Sequence, residues 1–307
     1  MDHTFLQRNA AFIWRSAGPE LPDQYLIFRK KFSIPAGNPE ELQLDIAADS
    51  TYEIRVNGKR CPGSQLADMP GDRTFSSYDI SSLVRPGKNV IAVEVHYLGK
   101  DFLTYRPGPA FLCAALHIGD RLIAATDSSW KCAYSQEMRS GLHCQLTSQL
   151  GFVFCRDERL KQPWDEPDFD DSAWKNAAVL ENISEWKLSP RAVPELAELP
   201  CPDVSLVQTG YLKRNREEDT FALSAFHDYL TPRRPKEFFS VLDESQLLDG
   251  MFRTGMKIRG SGDFEFKFNP LPREENADGY YLIVDLGREN VGFLKLDTQA
   301  PLQRIVK

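Results

Sequence analysis

Apolar and polar residues alternate with a period of two through much of the first 130 residues. Leu42, Leu44 and Ile46 share one face of an extended segment, and Tyr52, Ile54 and Val56 share one face of another, with a polar Ala-Asp-Ser-Thr turn between them. The second segment runs into Asn57-Gly58, the pair that best tolerates the positive φ angles of a tight type I′ hairpin. Tyr25–Ile34, Val90–Tyr97, Phe111–Ile118 and Leu122–Thr126 extend the pattern, punctuated by Pro35-Ala36-Gly37, Pro86-Gly87 and Gly119-Asp120. No stretch of residues 1–160 shows strong helical periodicity. Short strands with regular turns predict an all-β chain whose first domain, residues 1–185, is an antiparallel β-sandwich of jelly-roll type.

Four prolines, Pro190, Pro194, Pro200 and Pro202, crowd the stretch that follows Trp186, and proline is excluded from helix interiors and central strands alike. Residues 186–203 therefore read as a linker. Beyond it, Val204–Leu212, Tyr280–Val284 and Phe293–Leu296 read as strands of a second β-sandwich over residues 204–307, with a short helix expected within Pro235–Phe252. The last residues, Pro301 to Lys307, read as a turn and the opening of another strand. The second sandwich is thus expected to be truncated, since a sandwich without its last strands leaves a ladder edge uncovered.

Composition narrows the partners. With 37 basic and 44 acidic side chains the net charge is −7, so no overall attraction to nucleic acid or anionic lipid is expected. The longest apolar run, Ala110–Leu116, is far shorter than the roughly 20 residues of a membrane-spanning helix. No basic segment followed by an apolar one stands at the N-terminus, so the expectation is a cytoplasmic protein, secreted or periplasmic only if a leader has been trimmed. Cys61, Cys113, Cys132, Cys144, Cys155 and Cys201 lie far apart, without a Cys-x-x-Cys pair, and read as reduced, mostly buried thiols, with disulfides as the alternative. His3, His96, His117, His143 and His227 show no metal-ligand spacing, and neither a metal nor a cofactor is expected.

Two loops hold candidate chemistry. In the acidic one, Asp171 or Ser172 reads as the N-cap of a single turn before Trp174, and calcium binding by Asp165, Glu166, Asp168, Asp170 and Asp171 is the sharper alternative. The other is His96–Pro107, rich in aromatic and charged residues directly after a strand. Sugar rings pack apolar C–H faces on aromatic planes while their hydroxyls bond charged side chains, so Arg73, Tyr97, Asp101 and Tyr105 are the candidate carbohydrate-binding residues. The competing reading is that Tyr97, Phe102 and Tyr105 fold back as a small core beneath the loop. There is no Gly-x-Ser-x-Gly elbow and no phosphate loop, and no catalytic residue is assigned.

Ala11-Phe12-Ile13-Trp14, Gln24–Phe32, Ala48–Tyr52, Val56-Asn57-Gly58, Tyr78-Asp79-Ile80, Leu83–Val93, Thr126–Trp130 and Phe169–Trp174 resemble, in order and spacing, the opening β domain of bacterial alpha-L-rhamnosidases. These pieces also resemble the galactose-binding-like domain of beta-galactosidase-type glycosidases. Asp285–Leu294, Asp-Leu-Gly-Arg-Glu-Asn-Val-Gly-Phe-Leu, is similar to a rhamnosidase signature in the sandwich that precedes the catalytic barrel. Gln149–Arg156 departs from the family pattern, with Phe and Cys where polar residues are expected. The resemblance implies two galactose-binding-like sandwiches at the N-terminus of an inverting glycoside hydrolase that releases terminal L-rhamnose. Its catalytic carboxylates would lie on an (α/α)6 barrel outside these residues, on which the β domains pack. The chain itself is then expected to be inactive. The alternatives are a free-standing carbohydrate-binding module, an accessory domain of a beta-galactosidase-like enzyme, and a scaffold sandwich with no ligand.

Overall fold

The computed structural model describes residues 4–35, 41–63, 68–69, 71–143, 151–152, 154–194, 203–214, 239–241, 257–259, 279–285 and 287. The chain divides into two compact units between Leu196 and Ala197. Two sheets form the first unit. One takes, in spatial order, β12 (Ala178–Val179), β1 (Ile13–Trp14), β8 (Phe111–Ile118), β3 (Gln43–Asp49), β6 (Arg73–Asp79) and β13 (Leu188–Pro190), with β9 (Arg121–Ala125) also paired to β8. The other takes β11 (Lys175–Asn176), β10 (Lys131–Tyr134), β2 (Gln24–Ile34), β7 (Gly87–Tyr97), β4 (Thr51–Val56) and β5 (Lys59–Cys61). All these pairs are antiparallel except β13 with β6. The protein is nearly all β, as the alternation requires.

The polar turn between the first two alternating segments is a corner, not a hairpin. Asp49 ends β3 in one sheet and Thr51 opens β4 in the other, so Leu44, Ile46, Tyr52 and Ile54 all meet in one core between the sheets. Asn57 and Gly58 form the expected two-residue turn, with φ of 51° and 79° and Val56 paired to Lys59. Asn57 does more than turn. Its Nδ2 donates to the Leu83 carbonyl and to Asn89 Oδ1, and its Oδ1 accepts from the Val90 amide, which locks the hairpin to the Pro86-Gly87 turn.

The apolar run at β8 is explained by burial on both faces. Leu112, Ala114 and Leu116 lie level with Ala48, Ile46 and Leu44 in the core. Phe111, on the opposite face, packs against Phe12 and Trp186 at ring separations of 5.1 and 6.0 Å, and His117 packs on Phe5 at 4.3 Å. Phe5 belongs to a short helix, α1 (Phe5–Asn9), capped by Thr4 accepting from the Gln7 amide. Five residues are too few for a period to be read, which is why the sequence pattern contains no sign of it.

Trp186–Pro190, read from its prolines as linker, packs as part of the first unit. Leu188–Pro190 runs beside β6 at the sheet edge, where the missing N–H of Pro190 leaves no ladder bond broken. Proline density excludes a central strand and says nothing against an edge one.

The outer face of the second sheet is covered by the acidic loop. Trp164, Phe169 and Trp174 pack over Ile27 and Ala92. Arg29, fully buried, anchors the loop: its Nε donates to the Trp164 carbonyl at 2.9 Å, its Nη2 to the Glu166 carbonyl at 2.6 Å, and it pairs with Asp171. Asp165 faces Arg55 at 3.4 Å, and Asp171 also faces Lys31. Two of the five carboxylates considered as calcium ligands, Asp165 and Asp171, are thus matched to cations of the same sheet. The turn before Trp174 is capped by Asp170, which accepts from the Ser172 amide at 2.9 Å; the cap sits one residue before the expected pair.

In the second unit, β14 (Asp203–Arg214) pairs along most of its length with β17 (Gly279–Asp285), with a bulge between Leu206 and Gln208. β15 (Phe239–Val241) pairs with its last residues and β16 (Lys257–Arg259) with its first. Within the stretch expected to hold a helix, Phe239–Val241 is therefore a strand; Phe-Ser-Val alternates, and the longer-range pairing wins over a weak helical signal. The strand expected at Phe293–Leu296 lies outside the described residues. So does the signature beyond Gly287, whose φ of 71° gives that glycine a turn to make.

Candidate functional site

Three of the four candidate residues converge at one end of the sandwich around a carboxylate that the sequence presented only as a turn residue. Asp49 closes β3, Arg73 opens β6 and Tyr105 lies in the loop after β7. Arg73 Nη1 donates to Asp49 Oδ2 at 2.9 Å, and the Tyr105 hydroxyl and Ser50 Oγ donate to Asp49 Oδ1 at 2.6 and 2.8 Å. Tyr97 Oη donates to the Gly108 carbonyl at 2.8 Å and so ties the end of β7 to the same loop. Asp101 is not brought into this group; its side chain is 65% exposed and faces Arg106 at 3.8 Å.

Burial decides what this cluster does. Arg73, Tyr97 and Tyr105 are 5%, 6% and 1% exposed; Arg73 Nη1 and the Tyr105 hydroxyl are spent on Asp49, and the Tyr97 hydroxyl on the Gly108 carbonyl. Desolvation pushes the Asp49 carboxyl above its ordinary range, against the pull of Tyr105, Arg73 and Ser50. Desolvation, then the Asp49 charge, raises the Tyr105 hydroxyl, and the same two causes push Tyr97 up to about 12. Tyr105 therefore stays protonated and keeps donating at any physiological pH. A buried carboxylate with one cation and two hydroxyl donors is a strut that fixes the loop. Phe102, Tyr105 and Phe152 form a separate small core against Leu98.

Several members were not singled out from sequence. Phe152, in the segment that departs from the family pattern, closes that small core with its ring 5.0 Å from Phe102. A Cβ at Gly108 would collide with Arg73 Nη2, so glycine lets the chain pass over the guanidinium. Trp186 lies 4.4 Å from the guanidinium carbon of Arg73, measured to its ring centroid. Asp23, nearly fully buried, accepts from the His143 amide and meets His96 Nε2 at 2.9 Å, holding the 140–143 turn to β7. The sequence signals were a lone Asp at a corner and a Gly in a Pro-Gly-Pro run, both of which read locally as turns.

A second concavity lies on the outer face of the other sheet, lined by Ile27, Tyr134, Gln136, Glu137, Gln162, Trp164 and Trp174. Two tryptophans beside amides is a sugar-binding composition. Its volume is about 20 Å³, room for about one water, whereas ligand pockets start near 300 Å³. Glu137 is already engaged there by the Gln162 amide, Trp164 Nε1 and Arg156. Among the described residues no group of three His, Cys, Asp or Glu is placed to hold a metal ion.

The comparisons with known proteins fall on the same unit. The family model for the alpha-L-rhamnosidase N-terminal domain matches residues 37–197, more than half of the chain. The chain belongs to the alpha-L-rhamnosidase N-terminal domain family. That span includes the Asp49 corner, the Asn57-Gly58 hairpin, the loop over Arg73 and the Trp186 segment. An alpha-L-rhamnosidase of Formosa agariphila is 25% identical over 186 residues, 55% of this chain and 19% of that protein. The GH78 family rhamnosidase of Bacillus sp. GL1 superposes with a TM-score of 0.60 at 31% identity, over 67% of this chain and 22% of that one. The alpha-L-rhamnosidase from Aspergillus terreus shares the fold at 19% identity and a TM-score of 0.50, over 68% of this chain and 28% of that one. The aligned part of the chain thus spans between 19% and 28% of the length of these rhamnosidases.

Proposed function

We propose that this chain is the non-catalytic N-terminal β segment of an alpha-L-rhamnosidase, a glycoside hydrolase that releases terminal L-rhamnose by inversion, and that it packs on a catalytic barrel encoded beyond it. The observation that carries this is the family match over residues 37–197 in a chain whose aligned part spans only 19% to 28% of its rhamnosidase relatives. Inverting hydrolysis needs an acid and a base about 6.5–9.5 Å apart across an open cleft. Asp49 lies buried among its own partners, which supports a structural part for it.

The test is an assay of the 307-residue chain on an aryl alpha-L-rhamnoside, beside the full-length product of its gene. Turnover only in the longer protein is the expected result. Turnover by the short chain that disappears on substituting one of its carboxylates overturns the proposal, as does a gene that ends at Lys307.

Direct carbohydrate contact by the β domain is the second reading, favoured by the Asp101–Arg106 rim, which is exposed on a loop whose base is fixed. In that reading Arg73, Tyr97 and Tyr105 position the loop and Asp101 meets the sugar. Titration with L-rhamnose, followed by amide shifts of residues 98–110, tests it; no shift at tens of millimolar removes it. We further propose a reducing compartment, supported by Cys113 and Cys132, which are buried and form no disulfide among the described residues.

A further inference from the structure

Arg73 stands where two segments distant in sequence meet. Through Asp49 it holds Tyr105, and through Tyr105 the loop over residues 98–110. The other face of the same guanidinium is covered by Trp186, and the Phe111 ring centroid lies 5.2 Å away. Trp186 sits in the segment 181–191 by which the chain leaves the first unit. That segment is fastened by Gln7 Nε2 donating to the Trp186 carbonyl at 2.9 Å, by the pairing of Leu188–Pro190 with β6, and by the Arg191 amide donating to Phe75 at 2.9 Å.

What makes Arg73 a coupling element is how little else holds it. Among the described residues its Nε and Nη2 are buried with no hydrogen-bond partner, so its orientation there rests on one carboxylate and on the Trp186 and Phe111 rings beside it. Remove the Trp186 ring and the guanidinium is free to turn. Asp49 then loses its cation in a desolvated place, and the strut on Tyr105 slackens. Remove the Tyr105 donor and the Asp49 carboxylate has one group fewer to fix it, so Arg73 is held less firmly beneath Trp186.

We propose that the exit segment 181–191 and the loop 98–110 are thermodynamically coupled through Arg73, so that anything docking on one changes the order of the other. The coupling is reciprocal by necessity. It concerns the first unit alone and holds whether or not the parent protein is a glycosidase. Asp101, Arg106 and Leu103 are among the exposed side chains that such a loop would present to a partner.

Amide hydrogen exchange of the 307-residue chain, read peptide by peptide, tests the proposal with Trp186→Ala, Trp186→Phe and Tyr105→Phe. Within 98–110 the Phe102 and Tyr105 amides each donate to the other residue's carbonyl, at 3.0 and 3.4 Å, and report on the loop. In Trp186→Ala these should exchange about tenfold faster, within the range typical of coupled sites, with a smaller effect in Trp186→Phe. In Tyr105→Phe the amides of Trp186 and Arg191 should accelerate, while the β4–β5 hairpin stays at its native rate in all three. Acceleration confined to the substituted segment overturns the coupling. So does a uniform acceleration that includes the β2–β7 ladder, because the effect would then be global unfolding.

Discussion

At the scale of single residues, the sequence showed which side chains carry chemistry but not whether they face inward. Arg73, Tyr97 and Tyr105 were chosen for aromatic faces and charge near a strand end, and the structure places all three beneath the loop. The partner that organises them, Asp49, was hidden because its strand neighbours alternate normally and its role depends on a strand 24 positions away. Gly108 is the most sensitive position. In Gly108→Ala the added carbon meets the guanidinium of a buried ion pair, so overpacking of about 1–3 kcal/mol is expected, read as a lower urea midpoint with unchanged slope. Cysteine chemistry follows from burial in the same way. Desolvation pushes the Cys113 thiol up to about 12 and Cys132 up to about 11, so neither should react with an alkylating reagent in the native protein at pH 8. After denaturation without reductant, mass measurement should show six modified cysteines; four or fewer would count against a reducing compartment.

At the scale of elements, the apolar pattern located the long strands within a few residues, whether every second residue is buried, as in β4, or both faces are, as in most of β8. It was blind to α1 and to two-residue strands such as β1 and β12, whose pairing is decided by residues more than 150 positions away. It located β7 but not what faces it: Glu94 lies directly opposite Glu53 on β4. Burial, then the negative charges of Glu137 and Glu53, push the Glu94 carboxyl up to about 7, against the pull of Ser135 and Arg156. Its folded value exceeds that of an unfolded carboxylate, so the folded state holds this proton more tightly. The contribution is complete below about pH 4.5 and is lost as pH rises through about 7. Glu94→Gln removes it: between pH 5 and 8 the native chain should lose up to about 3 kcal/mol more stability than the variant in paired urea titrations. A second element-level test is Asn57→Ala, which leaves the Val90 amide and the Leu83 carbonyl without their partner and should cost about 1–3 kcal/mol.

At the scale of the whole molecule, the division near residue 196 predicts where a protease enters. Brief digestion should cut first between residues 191 and 203, leaving a fragment that retains Trp186, with cuts inside β3 or β4 appearing last. The burial of β8 on both faces also sets an order of events during synthesis. Its seven-residue apolar run is covered on one side by the opposite sheet and on the other by Phe5 and Phe12, made at the start of the chain, and by Trp186, made near the end of the first unit. About 70 residues therefore leave the ribosome between Leu116 and Trp186 while this segment waits for its last cover. At roughly 5–20 residues per second that interval lasts several seconds. During it an apolar strand with no charge and no proline stands half-dressed, the kind of segment that pairs with its neighbours on other chains. A chain cut at residue 180 should accordingly accumulate as aggregate, and one cut at residue 194 should not.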